Sequence, residues 1–397
     1  MPITTAEELQ SLREAVRLFA AQEIAPHAQE WDRQEGYPDS IVRKLGEQGF
    51  LGVLAPEDYD GAGGNYTMLA IVLEELARGD GGLALAVEAH NGLCCEHILI
   101  AGNDEQKKKY LPPLATGQYL GSWCLSEPGS GTDAAAMRTT AVQDGAAWIL
   151  NGSKQFVTNG SRAGTYVVLA HLSSASEREG FAAFLVERGT PGLSIGKRED
   201  KLGMRSSDTV TVNLDNVRIP ENQLLGVPGT AFDDVKKVLQ HGRVMVSAIS
   251  LGLARAAIED SVRYSHEREA FGKPISSFEL IQGKLADMTA QFEAARLLVA
   301  NAAAMLDRGE PAELEAAVTK VFSSEMATRV AMEAIQIHGG YGYLRDYNVE
   351  RYMRDAKLCE IGEGTSEILR VLIARSISKR LGFEPGGDGR ARGDSSR

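Results

Sequence analysis

The sequence predicts an α+β protein in which a helical N-terminal domain, a middle β-domain and a C-terminal four-helix bundle follow one another. Three observations predict it. Apolar residues recur at three- and four-residue spacing through the first part of the chain. Short apolar runs broken by turn residues replace that pattern from about Tyr119, and long helical-period segments return after Pro228. The expected units are residues 1–118, 119–228 as an antiparallel barrel or sandwich, and 229–383, with a Gly/Arg/Ser-rich tail at 384–397 that reads as disordered.

From Thr5 to Gln29, Leu9, Leu12, Val16, Phe19 and Ile24 form one stripe, opened by a Thr5/Glu8 capping box and expected to close near Pro26. Further helices are expected at Ser40 to Gln48, Met68 to Arg78, Leu83 to Gly102 and Glu105 to Ala115. The β unit carries the runs "WCLSEP", "AWILNGSKQFVTNG", "TYVVLAHL", "FAAFLVE" and "VTVNLDNVRIP". Asn151-Gly152 is a hairpin signal, because both residues of such a turn must accept positive φ. Four long helical segments are then expected at about 231–266, 276–307, 311–337 and 346–381. There is no internal repeat.

Of the 397 residues 43% are apolar and 24% charged, ordinary for a folded globular protein. Fifty-four acids against 42 bases leave a net charge of −12, which argues against a broad nucleic-acid or anionic-membrane surface. Cys94, Cys95, Cys124 and Cys359 show no C-x-x-C spacing and read as reduced, packed residues. No apolar run reaches the roughly 18–20 residues that cross a bilayer, so no membrane insertion is expected. The opening "TTAEELQSLRE" lacks the hydrophobic stretch of a signal and carries acids, so a cytoplasmic location is expected.

Among candidate sites, "HEREA" at His266 has Ala270 where a zinc-protease helix needs its second histidine, and His90 and His97 lack a third ligand, so no metal site is expected. "GSGTDA", Gly129 to Ala134, spells a dinucleotide fingerprint, but β-hairpin texture follows it where a helix is required. The stretch still offers glycines for close approach and the hydroxyls of Ser126, Ser130 and Thr132 beside Trp123, a wall suited to a flat polar-edged ring; an ordinary polar loop has the same letters. Phe156 and Thr158 form a second aromatic and hydroxyl pair, placed on one face by strand alternation. In "QIHGGYGYLRDYNVERYMRD", Gly339, Gly340 and Gly342 can expose backbone N–H groups to a phosphate or simply turn one helix into the next.

Glu363 in "EIGEGTSEILR" stands between Gly362 and Gly364, ahead of a helix start. Thr365 and Ser366 already supply capping, and Glu367 the first-turn acid. Glu363 is therefore free to project into a cavity, as a structural acid or as a base.

Together these segments resemble the acyl-CoA dehydrogenase family over residues 5 to 381. "CLSEPGSGTDAAA" and "QIHGGYGYLRDYNVERYMRD" look like its two signatures, and "EREAFGKPI" and "EGTSEILR" fall in its order and spacing. The resemblance implies a bound FAD held by Trp123, Leu125, Ser126, Gly131, Thr132, Phe156, Val157 and Thr158, with Thr365 and Glu367 also in contact. Arg268, Phe271, Gln336 and Gly340 would reach the FAD of a neighbouring subunit in a homotetramer built as a dimer of dimers. Gln240 and Arg243 would meet the CoA portion of an acyl-CoA substrate, with Thr132 and Gly364 also at the substrate.

By the same resemblance Glu363 is the base that removes the α-proton while the β-hydrogen leaves as hydride to flavin N5, giving a trans-2-enoyl-CoA. The thioester carbonyl would be polarised by the base's own backbone N–H and a flavin hydroxyl. Some relatives carry the base just before the arginine matching Arg243; here that residue is Gly242. Many relatives have tyrosine before the base, whereas Gly362 leaves volume that suits a branched, cyclic or bulky acyl group. An electron-transfer flavoprotein is the expected acceptor. A flavin oxidase or monooxygenase on the same fold, or a catalytically silent binding homologue, are the alternatives.

Overall fold

The computed structural model describes residues 5–172 and 180–383; the expected tail at 384–397 lies outside them. Helix α1 (Ala6–Phe19) opens on the expected capping box, with Glu8 N donating to Thr5 Oγ1 at 3.2 Å and Thr5 N to Glu8 Oε2 at 2.7 Å. The chain does not stop at Pro26. It passes through a π turn (Ala20–Ile24) and a 3-10 turn (Ala25–His27) into α2 (Ala28–Gln34). Pro26 sits in the first turn of a new segment, where its missing N–H would have had no partner in any case. Helices α3 (Asp39–Glu47) and α4 (Tyr66–Gly79) follow. The expected helix Leu83 to Gly102 is one helical path in three windings: α5 (Gly81–Glu88), a π segment (Ala89–Cys95) and α6 (Glu96–Ala101). The unit ends in α7 (Asp104–Ala115).

Eight strands form one sheet: β1 (Leu120–Cys124), β2 (Thr140–Asp144), β3 (Ala147–Thr158), β4 (Ala163–Leu172), β5 (Phe181–Glu187), β6 (Leu193–Arg198), β7 (Thr209–Pro220) and β8 (Leu224–Leu225). Their order is β6-β7-β3-β2-β4-β5-β8, with β1 also on β4. The antiparallel expectation holds for most pairs, but β1 and β2 both run parallel to β4. β1 pairs with Ala163–Val168 and β2 with His171 and Leu172, so the two act as one interrupted strand along the same neighbour. The residues between them, 125–139, loop out of the sheet.

Asn151-Gly152 is not a hairpin turn. It lies inside β3, where the register against β7 shifts between Leu150 and Gly152; the turn from β2 to β3 is made at Gly145, φ 61°. A Cβ at Gly152 would stand 2.4 Å from Thr139 Oγ1, so glycine is required there by close approach of the 125–139 loop. A second shift, between Lys154 and Val157, puts Phe156 at φ 57° and breaks the alternation used to place Phe156 with Thr158.

The bundle comprises α8 (Ala231–Glu267), α9 (Glu279–Asp307), α10 (Glu313–His338), α11 (Val349–Cys359) and α12 (Ser366–Arg380). The expected continuous helix 346–381 is broken at 360–365, because Glu363 (φ 55°) and Gly364 (φ 103°) are left-handed and end the helical path. α8 is the spine of the molecule. Its middle is buried on all sides, and a Cβ at Gly252 would lie 2.2 Å from Glu74 O of α4, so the N-terminal unit packs backbone-close on the bundle. One apolar cluster joins α1, α4 and α5 to the bundle, a second fills one side of the sheet, and a third lies between its other side, α6–α7 and the start of α8. Among the described residues no helix is long and apolar enough to cross a membrane.

Candidate active site

Glu363 stands in the break between α11 and α12, against α8 and the end of α5. The break is built by the sequence around it. Gly362 N and Ile361 N both donate to Leu358 O, at 2.9 Å each, while Ser366 N reaches back to Glu360 O at 3.0 Å and Thr365 Oγ1 caps α12 by accepting from Ile368 N at 3.4 Å. Two cations grip the far side of the turn: Lys320 Nζ donates to Gly364 O at 2.7 Å and Arg243 Nε to Glu363 O at 3.3 Å. The N–H of Glu363 donates to no protein acceptor among the described residues. A non-glycine residue at φ 55° stores strain that its surroundings must enforce, and such residues gather at functional sites.

Glu363 is partly exposed as a residue, yet its Oε2 is closed off from solvent and has no donor. Gly242 of α8 makes room for it: a Cβ there would lie 2.1 Å from Oε2. Burial pushes the Glu363 carboxyl up to about 7, opposed by a hydrogen bond from Glu88 and by the charges of Arg243 and Lys320. Burial likewise lowers Lys320, to about 8, and lowers Arg243. Gln240 and Arg243 are half-buried on α8, Arg243 against the Glu363 turn, whereas Glu367 is exposed on α12. His241 Nδ1 stands 2.7 Å from Glu96 Oε1 and 3.0 Å from Tyr66 Oη, closing a buried polar cluster where α4, α6 and α8 meet.

The 125–139 loop and the end of β3 hold the second group of candidates. Lys154, fully buried, donates to Glu127 Oε1 at 2.8 Å and Leu125 O at 3.1 Å. Glu127 in turn accepts from Arg138 N at 2.6 Å and Thr139 N at 2.9 Å, so one buried ion pair fixes both ends of the loop. Trp123 is buried at the end of β1, its Nε1 donating to His97 Nδ1 at 3.0 Å. Ser126 O accepts from Gln155 N at 2.8 Å and Thr158 O from Ser122 Oγ at 2.7 Å, tying loop and strand together. Gly131 and Thr132 are exposed, a side chain at Gly131 would meet no atom within 4 Å, and the Phe156 ring is 66% exposed. Val157 packs in the sheet core, leaving its backbone alone for a ligand.

Arg268, Phe271, Gln336 and Gly340 lie elsewhere. Roughly 25 residues of α8 separate Arg243 from Arg268, about 38 Å at the helical rise. Arg268 ends α8 with its guanidinium over the Tyr341 ring, beside a cleft of about 580 Å³ that includes Gly340, and Gln336 is exposed on the last turn of α10. Phe271 sits at φ 53° on the tip between β9 (Glu269–Ala270) and β10 (Lys273–Pro274), 96% exposed.

Sequence reasoning missed Glu88, Lys320, and the Lys154–Glu127 pair. Glu88 had a signal: it is the lone charge in the apolar stretch "GGLALAVEA". Lys320 stands in "EAAVTKVFSS", a lone cation on a buried helix face, but nothing in that pattern points to Gly364.

Family models match the chain in order: the acyl-CoA dehydrogenase N-terminal domain over residues 6–118, the middle domain over 122–217 and the C-terminal domain over 231–378. The short-chain specific mitochondrial acyl-CoA dehydrogenase of Rattus norvegicus is 42% identical over 368 residues, covering 93% of this chain and 89% of that protein. The butyryl-CoA dehydrogenase structure from Megasphaera elsdenii superposes with a TM-score of 0.92 at 38% identity, covering 95% of this chain and all of the other. A glutaryl-CoA dehydrogenase from Mycobacterium smegmatis in complex with FADH2 superposes at 0.90 with 30% identity, covering 95% and 96%. The chain belongs to the acyl-CoA dehydrogenase family, oxidoreductases that depend on FAD.

Proposed function

We propose that this chain dehydrogenates a short acyl-CoA thioester between its α and β carbons, with Glu363 as the base. The observation that carries this reading is the Glu363 carboxylate: its Oε2 is closed off from solvent and without a donor, and burial pushes the carboxyl up to about 7. A base that must take a proton from carbon near pH 7 works best with its own pKa close by. The α C–H of a thioester becomes acidic only if the carbonyl is polarised as charge develops, and the unpaired N–H of Glu363 is a preformed donor for that oxygen. Arg243 and Lys320 hold the turn by its carbonyls, so base and donor keep a fixed relation.

The residues fit FAD. The exposed Phe156 ring, the open approach at Gly131, and Trp123 next to the loop supply an aromatic and backbone wall for a planar ring. FAD, when bound, supplies the acceptor for the β-hydrogen. Trp123, Leu125, Ser126, Gly131, Thr132, Phe156, the backbone of Val157, and Thr158 would hold it, with Thr365 and Glu367 near the base. The distance of Arg268, Phe271, Gln336 and Gly340 from Glu363 supports their serving a neighbouring subunit, as in the homotetramer that the family resemblance implies. Gln240, Arg243, Thr132 and Gly364 would meet the acyl-CoA, and an electron-transfer flavoprotein would be the acceptor.

Short acyl groups are favoured by the likeness to the butyryl- and short-chain-specific enzymes. At Gly362 a side chain would approach only Leu358 O, at 3.6 Å, which supports room for a branch. The test is anaerobic mixing of the yellow holoenzyme with straight, branched, aromatic and dicarboxylic acyl-CoAs. Bleaching by butyryl-CoA or a short branched homologue is expected; absence of bleaching with every thioester would overturn the reading.

A further inference from the structure

The last residue of α5 is Glu88, 1% exposed, at the point where the helix widens into its π segment. Its carboxyl is wedged between two features. Oε1 has no donor, and a Cβ at Gly92, one helical turn on, would lie 2.9 Å from it. The Glu88 and Glu363 carboxyls lie within hydrogen-bond reach of each other. Each acid has one buried oxygen that accepts from no donor among the described residues.

Two carboxylates in contact with little access to water strongly disfavour both being charged, and a hydrogen bond between them requires a proton on one. We propose that Glu88 and Glu363 hold a single proton between them, carried by Glu88, and that Glu88 thereby acts as a positioning residue that donates to Glu363 and keeps it ionised.

The surroundings decide which partner carries the proton. Glu363 faces Arg243 from α8 and Lys320 from α10, both of which favour its anion. Glu313 acts on Arg243 from the start of α10, and Cys359 and Glu360 of α11 and the following turn act on Lys320; these lie one step further out. Among the described residues no cation is paired with Glu88, and burial and the Glu363 charge both hold its carboxyl well above the usual range. His241, the nearest histidine along α8, is turned to Glu96 and Tyr66. The pair titrates as a unit, so the proton stays on the member without a cation.

This deepens the reading of Glu363 as the base and rests on it only for the kinetic consequence. Infrared difference spectra of the holoenzyme at pH 8 test the proton's location without turnover. Wild type minus Glu88→Gln is expected to show the carbonyl band of a buried protonated carboxyl. Wild type minus Glu363→Gln is expected to show carboxylate bands. The reverse assignment, or carboxylate bands in both, overturns the proposal whether or not the enzyme dehydrogenates acyl-CoA.

The pH profile of flavin reduction tests the donor role. Glu88→Leu removes the donor, so the rising limb is expected to move up by about one pH unit, whereas Glu88→Gln retains a donor and keeps the limb in place. Coincidence of the Glu88→Leu limb with wild type overturns the proposal.

Discussion

Gly242→Ala separates catalysis from folding at a single atom. The added methyl would stand 2.1 Å from Glu363 Oε2, 2.7 Å from Cδ and 3.0 Å from Oε1, where ordinary contact begins at 3.4 Å. The obstacle is on the backbone of a buried helix, so the carboxylate must retreat, by about 1 Å or more; misplacement on that scale costs on the order of 10²-fold in rate. That corresponds to about 2.7 kcal/mol of transition-state stabilisation. Helix propensity pulls the other way, since alanine is about 1 kcal/mol better than glycine inside a helix. The variant is therefore expected to melt at or above the wild-type temperature, bind FAD, and reduce it about a hundredfold more slowly in stopped-flow mixing with butyryl-CoA. A rate within twofold of wild type would show that Glu363 does not need its present position, and the reasoning from close approach would be wrong.

Three other perturbations follow from the same geometry. Lys154→Met leaves Glu127 buried without its cation and should cost about 3–5 kcal/mol in denaturant unfolding; a loss under about 1 kcal/mol would mean that the backbone donors of Arg138 and Thr139 suffice. Phe271→Ser, at a fully solvated tip in the single chain, should leave chain folding intact while shifting sedimentation toward smaller species and loosening FAD; an unchanged sedimentation profile contradicts the assembly role. Burial raises Asp355 to about 7, so the folded chain binds its proton more tightly than the unfolded one. That contribution is complete below the ordinary carboxylate range and lost as pH rises through about 7. Asp355→Asn should thus flatten the fall in apoprotein stability between pH 5 and 8, and an equally steep fall in the variant would count against it.

The helical units were legible because their stripes bury on one face: Leu9 to Ile24 predicted α1, and the long bundle segments came within a few residues of α8, α9 and α10. The errors have a common origin in glycine and in positive φ. Asn151-Gly152 looked like a turn because sequence shows conformational permission and hides its cause, which is Thr139 pressing on residue 152 from another segment. Helix 346–381 looked continuous because Glu363 is a good helix former; its left-handed backbone is enforced by Lys320 and Arg243, far away in sequence. The sequence pointed to a candidate site at Glu363 and in the loop 125–139. Its electrostatics were not, because Glu88 and Lys320 meet Glu363 and its turn only through packing of α5 and α10. Parallel pairing of β1 and β2 with β4 was equally hidden, since each short run alone fits either direction.

Flavin reduction by Glu363→Gln addresses the assigned base most directly. The amide keeps the size of the side chain and removes its capacity to accept a proton from carbon, so the account predicts folded, yellow protein that still binds butyryl-CoA and reduces FAD at least about 10³-fold more slowly. Reduction at close to the wild-type rate would contradict it, since the α-proton would then be leaving to some group other than the carboxylate at residue 363.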